Sequence, residues 1–294
     1  MVAPMSTAAF ALIFGSALCH ASWNFLLKRS DHKTAFLGSL GAVSFAAFLI
    51  PAAVVVSIDG IGTRGLMFGA VSALLHGVYG LSLSRGYQLG DLSAVYPISR
   101  GMGPAIIPLA AVLFLDERTS VTAGFGIALV VAGIYGIHIE SGGLRGLSQP
   151  LRALSRPATR TALVTGALIA AYSLWDKTAL DHLSPLTLLQ FAMAGHFLIL
   201  LPLSLGNRGS AIRGEWRERG GSILAAGLLA PLAYVLILVA LTTSRISYIA
   251  PAREVGIVFG VLLGIVFLGE GYGAWRVLGS LLIVAGVLTL GLAP

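Results

Sequence analysis

Apolar residues in this chain run in long unbroken blocks and do not alternate with polar ones. Ten such blocks, 6–27, 34–57, 64–84, 92–115, 120–139, 160–180, 184–205, 221–243, 246–269 and 273–292, take up most of the 294 residues. Each is close to the roughly 17–25 residues that a helix needs to cross a bilayer. Continuous runs also exclude the two-residue alternation of a transmembrane barrel. The pattern therefore predicts an all-α integral membrane protein of ten transmembrane helices, with no soluble domain between them.

Composition agrees with that pattern, since only 11% of residues are charged where a soluble globule carries about 25%. The 37 glycines suit helices that pack closely in lipid. The neutral start MVAPMSTAAF lacks a basic n-region, so the first block reads as a retained helix and not a signal peptide. Cys19 is the single cysteine, which excludes an intramolecular disulfide.

The net charge of +7 reads as a topology signal. Loops after blocks 1, 3, 5, 7 and 9 hold thirteen Lys/Arg, whereas the other face holds four: Arg64, Arg118, Lys177 and Arg245. The positive-inside bias puts KRSDHK, the 145–160 segment and RGSAIRGEWRERG in the cytoplasm and both termini outside. Glu215 and Glu218 interrupt the last of these segments, and no nucleic-acid-binding motif accompanies them, so nucleic acid is not an expected partner.

Sliding the chain against itself by 153 positions pairs Arg100 with Arg253, Gly103 with Gly256, Glu117 with Glu270, Gly126 with Gly279 and Gly133 with Gly286. One residue of slack adds Pro97 with Pro251, and an offset of 152 pairs Trp23 with Trp175. Each copy holds five blocks. An odd number of crossings forces the second copy to enter the bilayer from the opposite side, which makes the repeats inverted, a transporter architecture built around a midplane site. The expected division is 1–142 for the first repeat, 143–159 for a basic linker and 160–294 for the second.

Five plus five helices, W-N at 23–24 and W-D at 175–176, and the endings FLDE at 114–117 and FLGE at 267–270 resemble the EamA-type transporters of the drug/metabolite transporter superfamily. The resemblance implies a bacterial inner-membrane permease with a central cavity that moves small metabolites, commonly amino acids, nucleotide-related compounds or amphipathic drugs, acting as a metabolite exporter. Uptake or exchange of a small organic anion is the alternative, and a channel or receptor is the reading from another class. The family pattern also implies cytoplasmic termini, against which the charge count argues. No cofactor or metal is implied. Protons are a candidate co-substrate, and the protein is either a monomer or a homodimer.

Candidate chemistry starts with AVYPISRGMGP, 94–104, and its echo IAPAREVG, 249–256. An arginine within a membrane helix costs about 2.5–3.5 kcal/mol on insertion scales and usually faces a bundle interior or a watery cavity. Arg100 and Arg253 are therefore expected either to bind an anionic group of the cargo, or to snorkel to the interface or clamp a gate. Prolines break the hydrogen-bond ladder, so both helices are expected to be kinked or broken here, with Pro97, Gly101, Gly103, Pro251, Gly256 and Gly260 serving as gate and packing positions. Tyr79, Tyr96, Trp175, Tyr234, Asn24 and His20 are candidate cargo contacts. For the tryptophans, an interfacial belt is the competing explanation. Glu254, Asp176 and His76 are candidates for proton coupling, although each could be an interhelical hydrogen-bond partner, and Asp176 could form a solvated pair with Lys177. His196 and Tyr172 belong to the same polar and aromatic sets. Glu117 and Glu270 read as helix-end capping groups, and no HExxH, GxSxG or Walker A pattern supports an enzyme.

Overall fold

The computed structural model describes residues 6–89, 92–137, 157–205, 209–268 and 274–293. The expected linker and Glu270 lie outside these residues, as do the side chains of Tyr96 and Pro97. All regular structure among the described residues is helical: α1 Thr7–Lys28, α2 Lys33–Asp59, α3 Thr63–Leu89, α4 Leu92–Phe114, α5 Val121–Ile137, α6 Pro157–Ala179, α7 Pro185–Leu205, α8 Gly209–Thr243, α9 Ile246–Ala252, α10 Val255–Leu268 and α11 Ala274–Leu292. Helices α9 and α10 together form the ninth span. Among the described residues, six helical segments are long and apolar enough to cross a membrane, and the stretches 99–114, 121–136 and 277–292 are shorter and apolar.

Packing follows the two-repeat pattern. Helix α1 lies against α8 as α6 lies against α3, and α2 meets α8 as α7 meets α3. Helix α1 meets α10 as α6 meets α4, while α2 with α7, α4 with α9 and α5 with α11 close the arrangement on itself. Exchanging the two halves leaves this set of contacts unchanged. The α5–α11 crossing shows why the glycines recur: Gly126 faces Gly286 and Gly133 faces Gly279, each repeat-related to the other pair. A Cβ on Gly133 would stand 2.6 Å from the Gly279 carbonyl oxygen, and one on Gly286 2.7 Å from that of Gly126. Only hydrogen at these positions lets the two backbones meet.

Two expectations need correction. Helix α4 is not broken: it continues from Leu92 to Phe114 through its prolines. Each proline removes one backbone bond without ending the helix, which packs against α5 and α6. The break appears in the second repeat alone, where Glu254 N donates to Pro251 O at 3.1 Å, Gly256 N to Arg253 O at 3.1 Å and Ile257 N to Glu254 O at 2.9 Å. Three bonds, each one residue short of helical spacing, tighten the chain into a hinge. The second correction concerns the segment before the eighth span, which the sequence reads as a loop. Residues from Gly209 are helical and join the span across a kink at Arg219 (φ −133°, ψ 21°).

Candidate functional site

Both faces of the bundle are held by a carboxylate that receives two consecutive backbone amides. Glu117, in the loop after α4, accepts from Ile246 N at 2.9 Å and Ser247 N at 3.0 Å, the first turn of α9. This is capping, as its position suggested, but the helix capped belongs to the other repeat. Arg245 reinforces the join by donating to the Arg118 carbonyl and lying 5.0 Å over the Tyr248 ring. On the basic-loop face Glu215 accepts from Asp31 N at 3.0 Å and His32 N at 2.7 Å. Arg219 there pairs with Asp31 at 2.9 Å, and this guanidinium holds the Asp31 carboxyl below the usual carboxylate range.

Between the faces lies a cavity of about 140 Å³, counted as the space open to the centres of water molecules. Its wall combines α1 (Ser16, His20, Trp23), α3 (His76, Tyr79), α4 (Arg100), α6 (Tyr172), α7 (His196), α8 (Tyr234) and Arg253 at the hinge. Leu37 lines both this cavity and a second one of about 370 Å³ bounded by Asp31 to Thr34, Ser84 and Gln88. The central cavity thus has a neighbour on the basic-loop side, while α9 is buried from end to end.

Two charged clusters meet the wall. Arg100 Nη2 stands 3.3 Å from Glu254 Oε2, and Arg253 Nε stands 3.4 Å from Glu254 Oε1. One carboxylate, 1% exposed, therefore joins the repeat-related arginines of the two halves. A buried charge needs such compensation to be tolerated. In the second cluster, His76 Nε2 lies 2.8 Å from Asp176 Oδ2 and 3.2 Å from the Tyr234 hydroxyl, and that hydroxyl also donates to Asp176 Oδ2. Asp176 is wholly buried and its Oδ1 has no hydrogen-bond partner. The His76 ring packs 4.2 Å from Tyr172 and 5.7 Å from His196. Lys177, next to Asp176 in the chain, points elsewhere: its Nζ donates to Leu241 O at 2.6 Å and Ser244 O at 3.3 Å, so no solvated pair forms.

Of the residues singled out from sequence, His20, His76, Tyr79, Arg100, Tyr234 and Arg253 line one cavity, with Glu254 and Asp176 just behind. Trp175 does not face it. Its Nε1 donates to Phe68 O at 2.9 Å and its ring lies 4.9 Å from Phe68, so it joins α6 to α3. Asn24 turns back on its own helix and donates to His20 O at 2.8 Å. Gly256 rests on Ala17, Gly101 on Ile134 and Gly103 on Ile169. Gly260 has nothing within 4 Å of a built Cβ and is not a packing position here. Pro251 is buried in the last turn of α9. Sequence reasoning noted His196 and Tyr172 but did not select them. Their signal was spacing, because Tyr172 lies one helical turn before Asp176 and so shares its face.

The EamA-like transporter family profile matches residues 159–292. Over 81 residues, 28% of this chain, the sequence is 31% identical to the nicotine metabolites export pump subunit NepA of Paenarthrobacter nicotinovorans, 70% of which is covered. A protein of known crystal structure superposes over 97% of both chains with a TM-score of 0.75 at 13% identity, a likeness of fold alone.

Proposed function

Because this chain belongs to the EamA-like transporter family, we propose that it is a secondary transporter that moves a small organic metabolite out of the cell through its central cavity by alternating access. It sits in the bacterial inner membrane with the basic loops in the cytoplasm and the termini outside. Residues 1–142 and 160–294 act as the two inverted repeats, joined by 143–159. The observation that carries this reading is the convergence of Arg100 and Arg253, equivalent positions of the two repeats, on one wall through a shared Glu254. A site made of matched residues from oppositely directed copies can present similar chemistry to either side when the halves rock. The hinge at Arg253–Glu254 supplies the bend that such rocking needs, and Gly256 against Ala17 lets the hinge slide on α1. Export as the direction follows the NepA relative, described as a nicotine metabolites export pump subunit.

Thermal-shift screening of the purified chain against a metabolite library, followed by flux of the stabilising compounds in proteoliposomes, tests this reading. Ligands that bind the folded form raise its apparent stability. Arg100→Ala and Arg253→Ala are each expected to lower flux at least about tenfold, the loss of one charge-assisted contact. Undiminished flux in both variants would remove the cavity from the transport route.

A further inference from the structure

We infer that the cavity binds a monoanionic organic acid together with a proton, the proton being taken up by His76 against the buried Asp176 carboxylate. The wall presents two guanidiniums and three imidazoles, those of Arg100, Arg253, His20, His76 and His196. Among the described residues no carboxylate lines it. The two carboxylates nearby, Glu254 and Asp176, are 1% and 0% exposed and sit one layer behind the groups they neutralise. A solute entering from water thus meets only positive or neutral polar groups on an otherwise apolar and aromatic surface. That surface suits a carboxylate or sulfonate attached to an apolar body and rejects an organic cation.

The charges of the described groups set the proton linkage. With all three imidazoles neutral, Arg100 and Arg253 cancel Glu254 and Asp176. A proton on His76 leaves one positive charge in excess, which a single anionic cargo group cancels. The empty carrier and the carrier loaded with proton plus anion are then both neutral, whereas either ligand alone leaves a net charge in a low-dielectric site, a costly state. Proton and anion therefore favour each other's binding. Imidazole is the side chain suited to exchange a proton at physiological pH. Nε2 is committed to Asp176 and Tyr234, so the added proton resides on Nδ1. The groups facing His76 are Asp176 and Tyr172 on α6, His196 on α7 and Tyr234 on α8, with Tyr79 packed on Tyr172 and His196 behind them and the two arginines elsewhere on the cavity wall. Asp176 carries the only negative charge among them.

The use of this pair in transport rests on the reading above, as electroneutral release of an accumulated acid, but its binding does not. Benzenesulfonate stays anionic over the whole range from about pH 5 to 8 in which imidazole titrates, so any pH dependence of its binding belongs to the protein. Its affinity for the purified full chain, measured by calorimetry, is expected to rise as pH falls, by up to about tenfold per unit for one linked proton. His76→Gln should keep binding but lose the slope. Asp176→Asn removes a negative charge without needing the proton, so it should bind tightly at pH 8 and also lose the slope, an outcome that a merely structural aspartate would not give. Arg253→Ala should abolish binding. No binding at any pH, affinity independent of pH in the parent chain, or a slope retained in His76→Gln overturns the inference. Metabolite flux with pH-independent binding would sink the linkage and spare the transporter, whereas pH-linked binding without flux of any compound would do the reverse.

Discussion

Replacing Glu117 by alanine removes the acceptor of two amides, Ile246 N at 2.9 Å and Ser247 N at 3.0 Å, and with it the tie between the loop after α4 and the start of α9. A hydrogen bond to a charged group contributes about 1.5–3 kcal/mol, and losing a helix N-cap costs about 0.5–2 kcal/mol. The freed amides regain water when this face opens, so the two bonds together shift the balance between closed and open by about 2 kcal/mol, or roughly 30-fold. Ser247 is wholly buried in this structure. In a Cys19→Ser background, a cysteine introduced by Ser247→Cys therefore reports opening through its alkylation rate with a membrane-impermeant reagent. Adding Glu117→Ala should raise that rate about 30-fold, while Glu117→Gln, whose amide oxygen still accepts but carries no charge, should fall between. A rate in Glu117→Ala within about twofold of the parent would show that the carboxylate does not hold this face shut.

Three further outcomes follow from other contacts. Gly133→Val puts a side chain where even a Cβ lies 2.6 Å from the Gly279 carbonyl oxygen. Overpacking of this kind costs about 1–3 kcal/mol, so a melt of the purified protein should show a lower Tm, and an unchanged Tm would mean that α5 and α11 do not cross at this point. Trp175→Phe loses the bond to Phe68 O, worth about 0.5–1.5 kcal/mol; Tm should fall slightly while cargo affinity stays at the parent value, and a lost affinity would return Trp175 to the cavity. On the basic-loop face, Arg219 depresses the Asp31 carboxyl, so that contact stabilises the folded form at pH values above the ordinary carboxylate pKa. The contribution is lost as pH falls through the depressed folded value. Carboxyl titration followed by NMR should move Asp31 back to its ordinary range in Arg219→Gln, and an unmoved titration would deny the pairing.

Crossing number and repeat offset were legible because both leave one-dimensional traces: blocks of bilayer length, and glycines that must recur wherever two backbones meet. Gly126, Gly133, Gly279 and Gly286 pair at the predicted offset and then contact one another at the α5–α11 crossing. Arg100 and Arg253 stood out through the cost of burying charge. The broken ninth span was legible from Pro251, but α4 runs on without a break, because a proline removes one bond and need not end the helix. The helical approach to the eighth span was missed because a basic, glycine-rich segment resembles a loop until Glu215 is seen reaching Asp31 and His32.

Which way a side chain points around its helix was far less accessible, and the reason lies in the solvent. In water an amphipathic stripe marks the inward face, but a helix that is apolar on every side carries no such mark. Asp176 and Lys177 illustrate the consequence. Neighbours in the chain differ by about 100° around a 3.6-residue helix, enough to send the carboxylate inward to His76 and the ammonium to the carbonyls at the end of α8. Trp175, on the far side of Asp176, is turned by the same angle the other way and meets Phe68 instead of cargo. Polar residues were therefore the only azimuthal markers the sequence offered, and Tyr172, one turn before Asp176 and on the cavity wall, shows that the marker extends along the face on which such a residue sits.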